Sequence, residues 1–209
     1  MAAPSRTRIG ADRRRAQILA ATHRVTLERG LHDLRVADVA AALGVSTGLI
    51  HYHFATREEL LGEMLRETAE REIDDVRRRL DRLDGPAERL DAAIEAYLPS
   101  VRRDPSWVLW IDAWGEALRD ANVRRISEEL DASWVELFEQ IVTAGAEAGV
   151  FHADDPAAAA WRLCSLLDGL GLQVVLHQST MSPAQMGRHV RLAASRELGY
   201  EPEIGGSPR

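Results

Sequence analysis

Three times between residues 104 and 183 of this 209-residue chain, a side chain that can accept a hydrogen bond is followed at once by proline: Asp104-Pro105, Asp155-Pro156 and Ser182-Pro183. An acceptor at the N-cap satisfies one of the unpaired N–H groups in a helix's first turn, and proline at the next position has no N–H to leave unpaired. Each pair therefore marks a helix start, and the apolar spacing that follows predicts helices over 105–119, 155–177 and 182–198. Gly85-Pro86 opens another over 86–102 and closes a long amphipathic run from Arg57 to Leu83, and a further helix is predicted over 122–148. Upstream, Ile18, Leu19, Thr22, Val25 and Thr26 recur at helical spacing as far as Gly30, which predicts a first helix over 11–29. Val36, Val39, Ala40 and Leu43 follow, closed by Gly44, and then a short segment from Ser46 to Phe54 in which Ser46 can cap. No stretch alternates apolar and polar residues as a half-buried strand would. The chain reads as all-α with about nine helices, and its ends, 1–10 and 201–209, rich in Pro, Gly, Ser or Arg, are expected to be disordered.

The length allows one large domain or a small one fused to a medium one, and 45% apolar residues suffice for a core. Charge favours the second arrangement. The net charge is −7, and all 26 basic residues are arginine, a bias whose simplest source is a GC-rich coding sequence. Residues 1–57 carry nine arginines against four acids, a net of +5, whereas residues 58–209 carry 17 against 29, a net of −12. A basic first quarter on an acidic body suggests that one part meets a polyanion and the other does something else. The least polar stretch, Leu163 to Leu176, is interrupted by Ser165, Asp168 and Gln173 and falls short of the roughly 20 apolar residues of a membrane span, so none is expected. The N-terminus lacks the apolar region of a secretory signal. Cys164 is the only cysteine, which excludes an intramolecular disulfide and fits a reducing cytoplasm.

Residues 36–54 have the composition of a helix-turn-helix, which needs a small residue where two short helices touch, a glycine at the bend and apolar residues to lock the pair. Ala40 is the small contact, Gly44 the bend, and Val39, Leu43, Val45 and Ile50 the internal core. The second helix would enter a major groove and offer Ser46, Thr47 and Gly48 to bases and phosphates. His51-Tyr52-His53-Phe54 and Arg57-Glu58-Glu59-Leu60-Leu61 extend the pattern. With them the sequence resembles the TetR family of transcriptional regulators across about residues 12–61, the family's motif running close to T-V-x-D-I-A-x-x-x-G-V-S-x-G-x-L-Y-x-H-F-x-x-K-x-x-L. The resemblance implies a DNA-binding surface made of Arg35, Val36, Ser46, Thr47, Gly48, His51, Tyr52, His53 and Arg57. Three of these depart from the pattern: Arg35 stands where the family often has Thr, His51 where it usually has Tyr, and Arg57 where it usually has Lys. An imidazole can still donate to phosphate, with a pH dependence that phenol lacks. Arg57 can pair with phosphate in a bidentate manner, and Arg35 can either contact phosphate or stay solvated. Arg6, Arg8, Arg13, Arg14 and Arg15 form a basic arm that either reaches a neighbouring groove or is a solvated tail. Phe54 is expected in the core, His23 and His32 at the surface.

All five tryptophans, Trp107, Trp110, Trp114, Trp134 and Trp161, lie in the C-terminal part. Trp107, Trp110 and Trp114 share one helix face, either a core stripe or the wall of a ligand pocket. Asp168 shares a face with Trp161 seven residues earlier. A carboxylate beside indole rings suits a cation, though it could equally bond backbone or a partner subunit. Trp134, Ala148-Gly149-Val150-Phe151 and Leu167-Asp168-Gly169-Leu170 are similar to the C-terminal domain of the TetR subgroup that includes choline-responsive repressors. That resemblance implies a small-molecule effector, a cationic amine or an apolar compound, and a homodimer through about 155–177 and 182–198. It also allows Asp168-Gly169-Leu170 to be a structural signature.

The expected organisation is thus a disordered arm over 1–10, a helix-turn-helix domain over 11–57, a helical ligand-binding and dimerisation domain over 58–200, and a tail over 201–209. The expected function is a cytoplasmic regulator, a repressor in the common case, that binds a palindromic operator in double-stranded DNA as a homodimer and is released by a small molecule, with no cofactor and no metal. Two alternatives stand beside it. A helical-bundle enzyme would need paired Glu-x-x-His motifs, which the chain lacks, and a ligand-free helix-turn-helix adaptor would have no pocket.

Overall fold

A computed structural model describes residues 6–177 and 181–201. Those residues form nine α-helices and no strand: α1 (Arg6–Arg29), α2 (Val36–Leu43), α3 (Thr47–His53), α4 (Arg57–Leu80), α5 (Pro86–Tyr97), α6 (Pro105–Ala117), α7 (Ala121–Glu147), α8 (Pro156–Leu176) and α9 (Pro183–Leu198). Two compact units result, residues 1–71 with 108–128 and residues 72–107 with 129–209. The first unit reaches beyond Arg57, because the start of α4 supplies its core and residues 108–128 join it.

In that first unit Ile18, Leu19, Ala21 and Val25 of α1 are buried with Val39 and Ala40 of α2, Ile50 of α3, Phe54, and Leu60, Leu61, Met64 and Leu65 of α4. Two threonines lie among them. The hydroxyls of Thr22 and Thr26 donate to the carbonyls of Ile18 (2.8 Å) and Thr22 (2.9 Å) one turn back, so neither is buried without a partner. Gly62 of α4 lies against the Asn122 side chain, so closely that a Cβ there would collide with it. Gly44 ends α2 at φ 66°, a left-handed conformation that glycine adopts without a Cβ penalty, and the backbone N–H at this cap donates back to the carbonyls of Ala40 and Ala41.

In the second unit α8 and α9 pack along each other and α5 lies against α9. Leu90, Ala93 and Ile94 of α5 are buried with Met186, Val190 and Ala194 of α9 and with Leu163, Leu167, Val174 and Val175 of α8. Arg191 joins α9 to α5 by pairing with Asp91 and, at 2.7 Å, with Glu95. Arg162 pairs with Glu197 to join α8 to α9. The Phe151 ring fills the space above Gly145 that any side chain would occupy.

The proline-marked starts occur as expected. Asp155 accepts from Ala158 N–H at 3.0 Å, and Ser182 and Gln185 form a reciprocal capping box. Other boundaries differ. Helix α1 starts at Arg6 instead of 11, so residues 6–10 are helical and Arg13, Arg14 and Arg15 lie within a helix and not on an arm; residues 1–5 and 202–209 lie outside the described residues. Helix α5 stops at Tyr97 instead of 102, because Pro99 bars Leu98 from the helical region and leaves it extended (φ −64°, ψ 141°). Helix α8, at 21 residues, is long and apolar enough by composition to cross a membrane, contrary to the expectation from Leu163 to Leu176 alone, and 44% of its most apolar stretch is buried inside the protein.

Candidate nucleic-acid interface and effector site

The turn between α2 and α3 is closed by backbone bonds from Gly44 N–H to Ala41 (3.1 Å) and Val45 N–H to Ala40 (3.0 Å). Ser46 then caps α3, its hydroxyl accepting from Leu49 N–H at 3.4 Å. A helix of seven residues that buries only Ile50 has its other side chains available. Ser46, Thr47, Gly48 and His51 are exposed, and Tyr52 is 81% exposed. A phenol ring of that size left in solvent is unusual for a residue that could be buried. Its edge-on partner is His53 at 5.1 Å, partly exposed. Arg35, ahead of α2, is exposed and Val36 partly so. Eight of the nine expected DNA-facing residues thus lie at least partly in solvent around one short helix and its lead-in.

Arg57 is placed differently. Its Nε donates to Leu34 O at 2.8 Å and its Nη2 to Leu31 O and His32 O at 2.9 and 3.0 Å, with Nη1 3.7 Å from Glu58. Arg15 is likewise engaged: Nη1 donates to His53 O at 2.9 Å, Nη2 lies 3.3 Å from Glu63, and the guanidinium sits 4.2 Å over the Phe54 ring. Sequence reading missed both contacts, since a backbone carbonyl leaves no mark in a sequence. The start of α4 at Arg57 is as expected, but its capping contacts were not foreseen: Thr56 accepts from Glu59 N–H (3.0 Å) and the Glu59 carboxylate from Ala55 N–H (2.6 Å). The Thr-x-x-Glu spacing was the available signal.

The second unit gathers aromatic rings around Tyr97, whose hydroxyl reaches a carboxylate. Tyr97, at the end of α5, donates its hydroxyl to Asp168 of α8 at 2.5 Å. Its ring stands 4.6 Å from Trp134, 5.9 Å from Trp107 and 6.4 Å from Phe138. Trp107 donates its indole N–H to Tyr97 O at 3.1 Å, and its ring occupies the space over Gly171 where a Cβ would collide. Trp107 and Trp134 are 9% and 8% exposed and Asp168 is half-buried. Burial pushes the Asp168 carboxyl up from its ordinary range while the Tyr97 hydrogen bond pulls it down. The Tyr97 hydroxyl is held well above the usual phenol value by burial and then by the Asp168 charge. Burial, the Asp168 charge and the Asp131 charge push the Cys164 thiol up to about 12.

Of the six residues expected around an effector, Trp107, Trp134 and Asp168 come together. Trp110 and Trp114 belong to the first unit. Trp161, expected in the effector pocket beside Asp168, is instead 61% exposed on α8, because α8 buries the opposite face. Tyr97 joins the group unanticipated; it lies 71 residues from Asp168, beyond any local pattern.

Fold and exposed α3 define a helix-turn-helix DNA-binding protein. Residues 18–64 match bacterial regulatory proteins of the tetR family, and residues 86–199 match the C-terminal domain of BetI-type transcriptional repressors. The chain belongs to the TetR family of transcriptional regulators, with a C-terminal domain of the BetI type. It is a DNA-binding regulator, and with that assignment the enzyme alternative falls. The chain is 29% identical over 170 residues to the HTH-type transcriptional regulator BetI of Escherichia coli, covering 78% of this chain and 83% of that one. It is similar in structure to a transcriptional regulator from Saccharomonospora viridis in complex with choline (TM-score 0.82, 29% identity, covering 90% of this chain and 98% of that one). A TetR regulator from Haloarcula marismortui shares the fold (TM-score 0.78, 22% identity, covering 90% and 97%).

Proposed function

We propose that the protein is a homodimeric cytoplasmic repressor that reads a pseudo-palindromic operator with α3 and is released by a small quaternary or protonated amine. The observation that carries the effector class is the half-buried Asp168 carboxylate, hydrogen-bonded to Tyr97, whose own ring packs against Trp107 and Trp134. A cation offers such a carboxylate the electrostatic stabilisation that burial has taken from it with its water, and the faces of Tyr and Trp attract a cation through their quadrupoles. The similarity to a regulator holding choline supports the same class.

On DNA, Ser46, Thr47, Gly48, His51 and Tyr52 would meet bases and phosphates, with Arg35, Val36 and His53 at the margins. A second copy would pair along α8 and α9. Trp161, Ser165, Gly169, Leu172 and Leu176 form a stripe at helical spacing on the face of α8 turned from its own core, and a Cβ on Gly169 would meet nothing. Leu192 adds an exposed apolar residue on α9. The effector would prefer one of two dimer geometries, and only that preference can shift DNA affinity.

The test is to select an operator from random-sequence DNA and then titrate the complex with choline and with 3,3-dimethylbutanol, its uncharged isostere. Choline is expected to bind and to release the DNA while the isostere does neither. Equal responses to both, or none to either choline or tetramethylammonium, would remove the cation reading. Release by the isostere alone would favour an apolar effector.

A further inference from the structure

We propose that Arg15 and Arg57 are positioning residues: two guanidinium clamps that fix the angle of the recognition helix from inside the protein, and not ligands of DNA phosphates. The inference rests on α3 being the reading helix. Arg57 gathers three carbonyls of the segment between α1 and α2, those of Leu31, His32 and Leu34. Carbonyls in such a turn have no helical partner and must find one. A planar fork with five donors can serve three acceptors at once, which the single ammonium of a lysine does with poorer geometry. The flanking Leu31 and Leu34 are buried, so the segment is locked by packing below and by Arg57 from the start of α4. The same segment is held again at Leu31 N–H by Asp112 of α6, at 3.4 Å.

Arg15 does the complementary work at the far end. The carbonyls in the last turn of a helix lack partners and carry partial negative charge, and the Arg15 guanidinium meets that of His53. It lies over the Phe54 ring and reaches Glu63, so α3 is tied at its C-terminus to both α1 and α4. One arginine thus holds the chain entering α2 and the other the chain leaving α3. The elements between them are the ones that must match the groove.

The experiment measures affinity of the full-length protein for a selected operator and for a random duplex across a series of potassium chloride concentrations. R15K, R57K, R15A and R57A are compared with the wild type, and helical circular dichroism is recorded for each. A phosphate ligand replaced by Ala lowers the slope of log affinity against log salt by about 0.9, weakens both DNAs alike and is rescued by Lys. A positioning residue loses roughly tenfold or more on the operator alone, leaves the random-duplex affinity and slope in place, and is not rescued by Lys. The second pattern is expected for all four variants, together with faster amide exchange over 47–53. Wild-type operator affinity in the Lys variants, or a slope reduced in the Ala variants, would overturn the proposal. If the Ala variants lose their helical signal, the Lys variants carry the test; loss of the signal in those too would make the arginines general fold determinants and overturn it equally. T47A and Y52A serve as controls: unchanged operator affinity there would instead refute the reading helix itself.

Discussion

At Asp168 two influences oppose each other, burial raising the carboxyl's affinity for its proton and the Tyr97 hydroxyl lowering it, with burial the larger. A group whose folded-state pKa is raised contributes stability below its unfolded value, and loses that contribution as pH rises through the folded one. Asp168→Asn still accepts from Tyr97 and cannot ionise. Its melting temperature is expected to equal or exceed the wild type's at neutral pH, with the difference closing below pH 3.8, the ordinary value. Choline binding should behave in the opposite sense. A cation requires the ionised carboxylate, so wild-type affinity should fall on acidification at a pH above the ordinary carboxylate range, and the Asn variant should bind poorly at every pH; calorimetric titration across pH reads both. Gly171→Ala sets a methyl against the Trp107 ring and should cost about 1–3 kcal/mol by overpacking, measured by urea unfolding. None of this chemistry could be read locally in the sequence. Trp134 and Asp168 could be singled out as unusual, but their convergence on Tyr97 spans three helices, and Trp161 had the right spacing on the wrong face.

At the scale of the element, what was legible was punctuation. Asp155 and Ser182 cap α8 and α9 because their side chains reach the N–H groups that a helix start leaves unpaired, a rule that acts over three residues and is written in them. Ser182→Ala removes one half of a capping box and should lower stability by about 1 kcal/mol without altering operator affinity, as chemical denaturation and a gel shift would show. The helix-turn-helix was legible for the same reason, its bend, cap and core lying within one short window. The end of α5 was misplaced because apolar spacing continues past Tyr97 while Pro99 forbids the helix. Arg57 was expected at a phosphate on resemblance, and its carbonyl acceptors were not legible because they lie on residues whose side chains give no hint of them.

For the whole molecule, the net of −7 conceals a +5 beginning and a −12 remainder, so the body resists the duplex while the reading end is drawn to it. The proposed dimerisation through α8 and α9 would give the exposed stripe of Trp161 and Leu176 a partner. Gly169→Arg, placed where a Cβ meets nothing in the single chain, should fold normally, sediment as a monomer and lose operator affinity. A Gly169→Arg protein that remains dimeric would rule that face out. The buried thiol at Cys164 bears on how such a dimer could be studied. With its pKa near 12, only about one molecule in 100,000 carries the thiolate at neutral pH. Maleimide and nitroxide reagents, which attack the thiolate, should therefore pass over the native cysteine. A single Arg35→Cys substitution, at an exposed position ahead of α2, would give a protein labelled once per subunit with no need to engineer the natural sulfur away. Two such probes in one dimer would turn the separation of its reading helices, with and without an amine, into a directly measured distance.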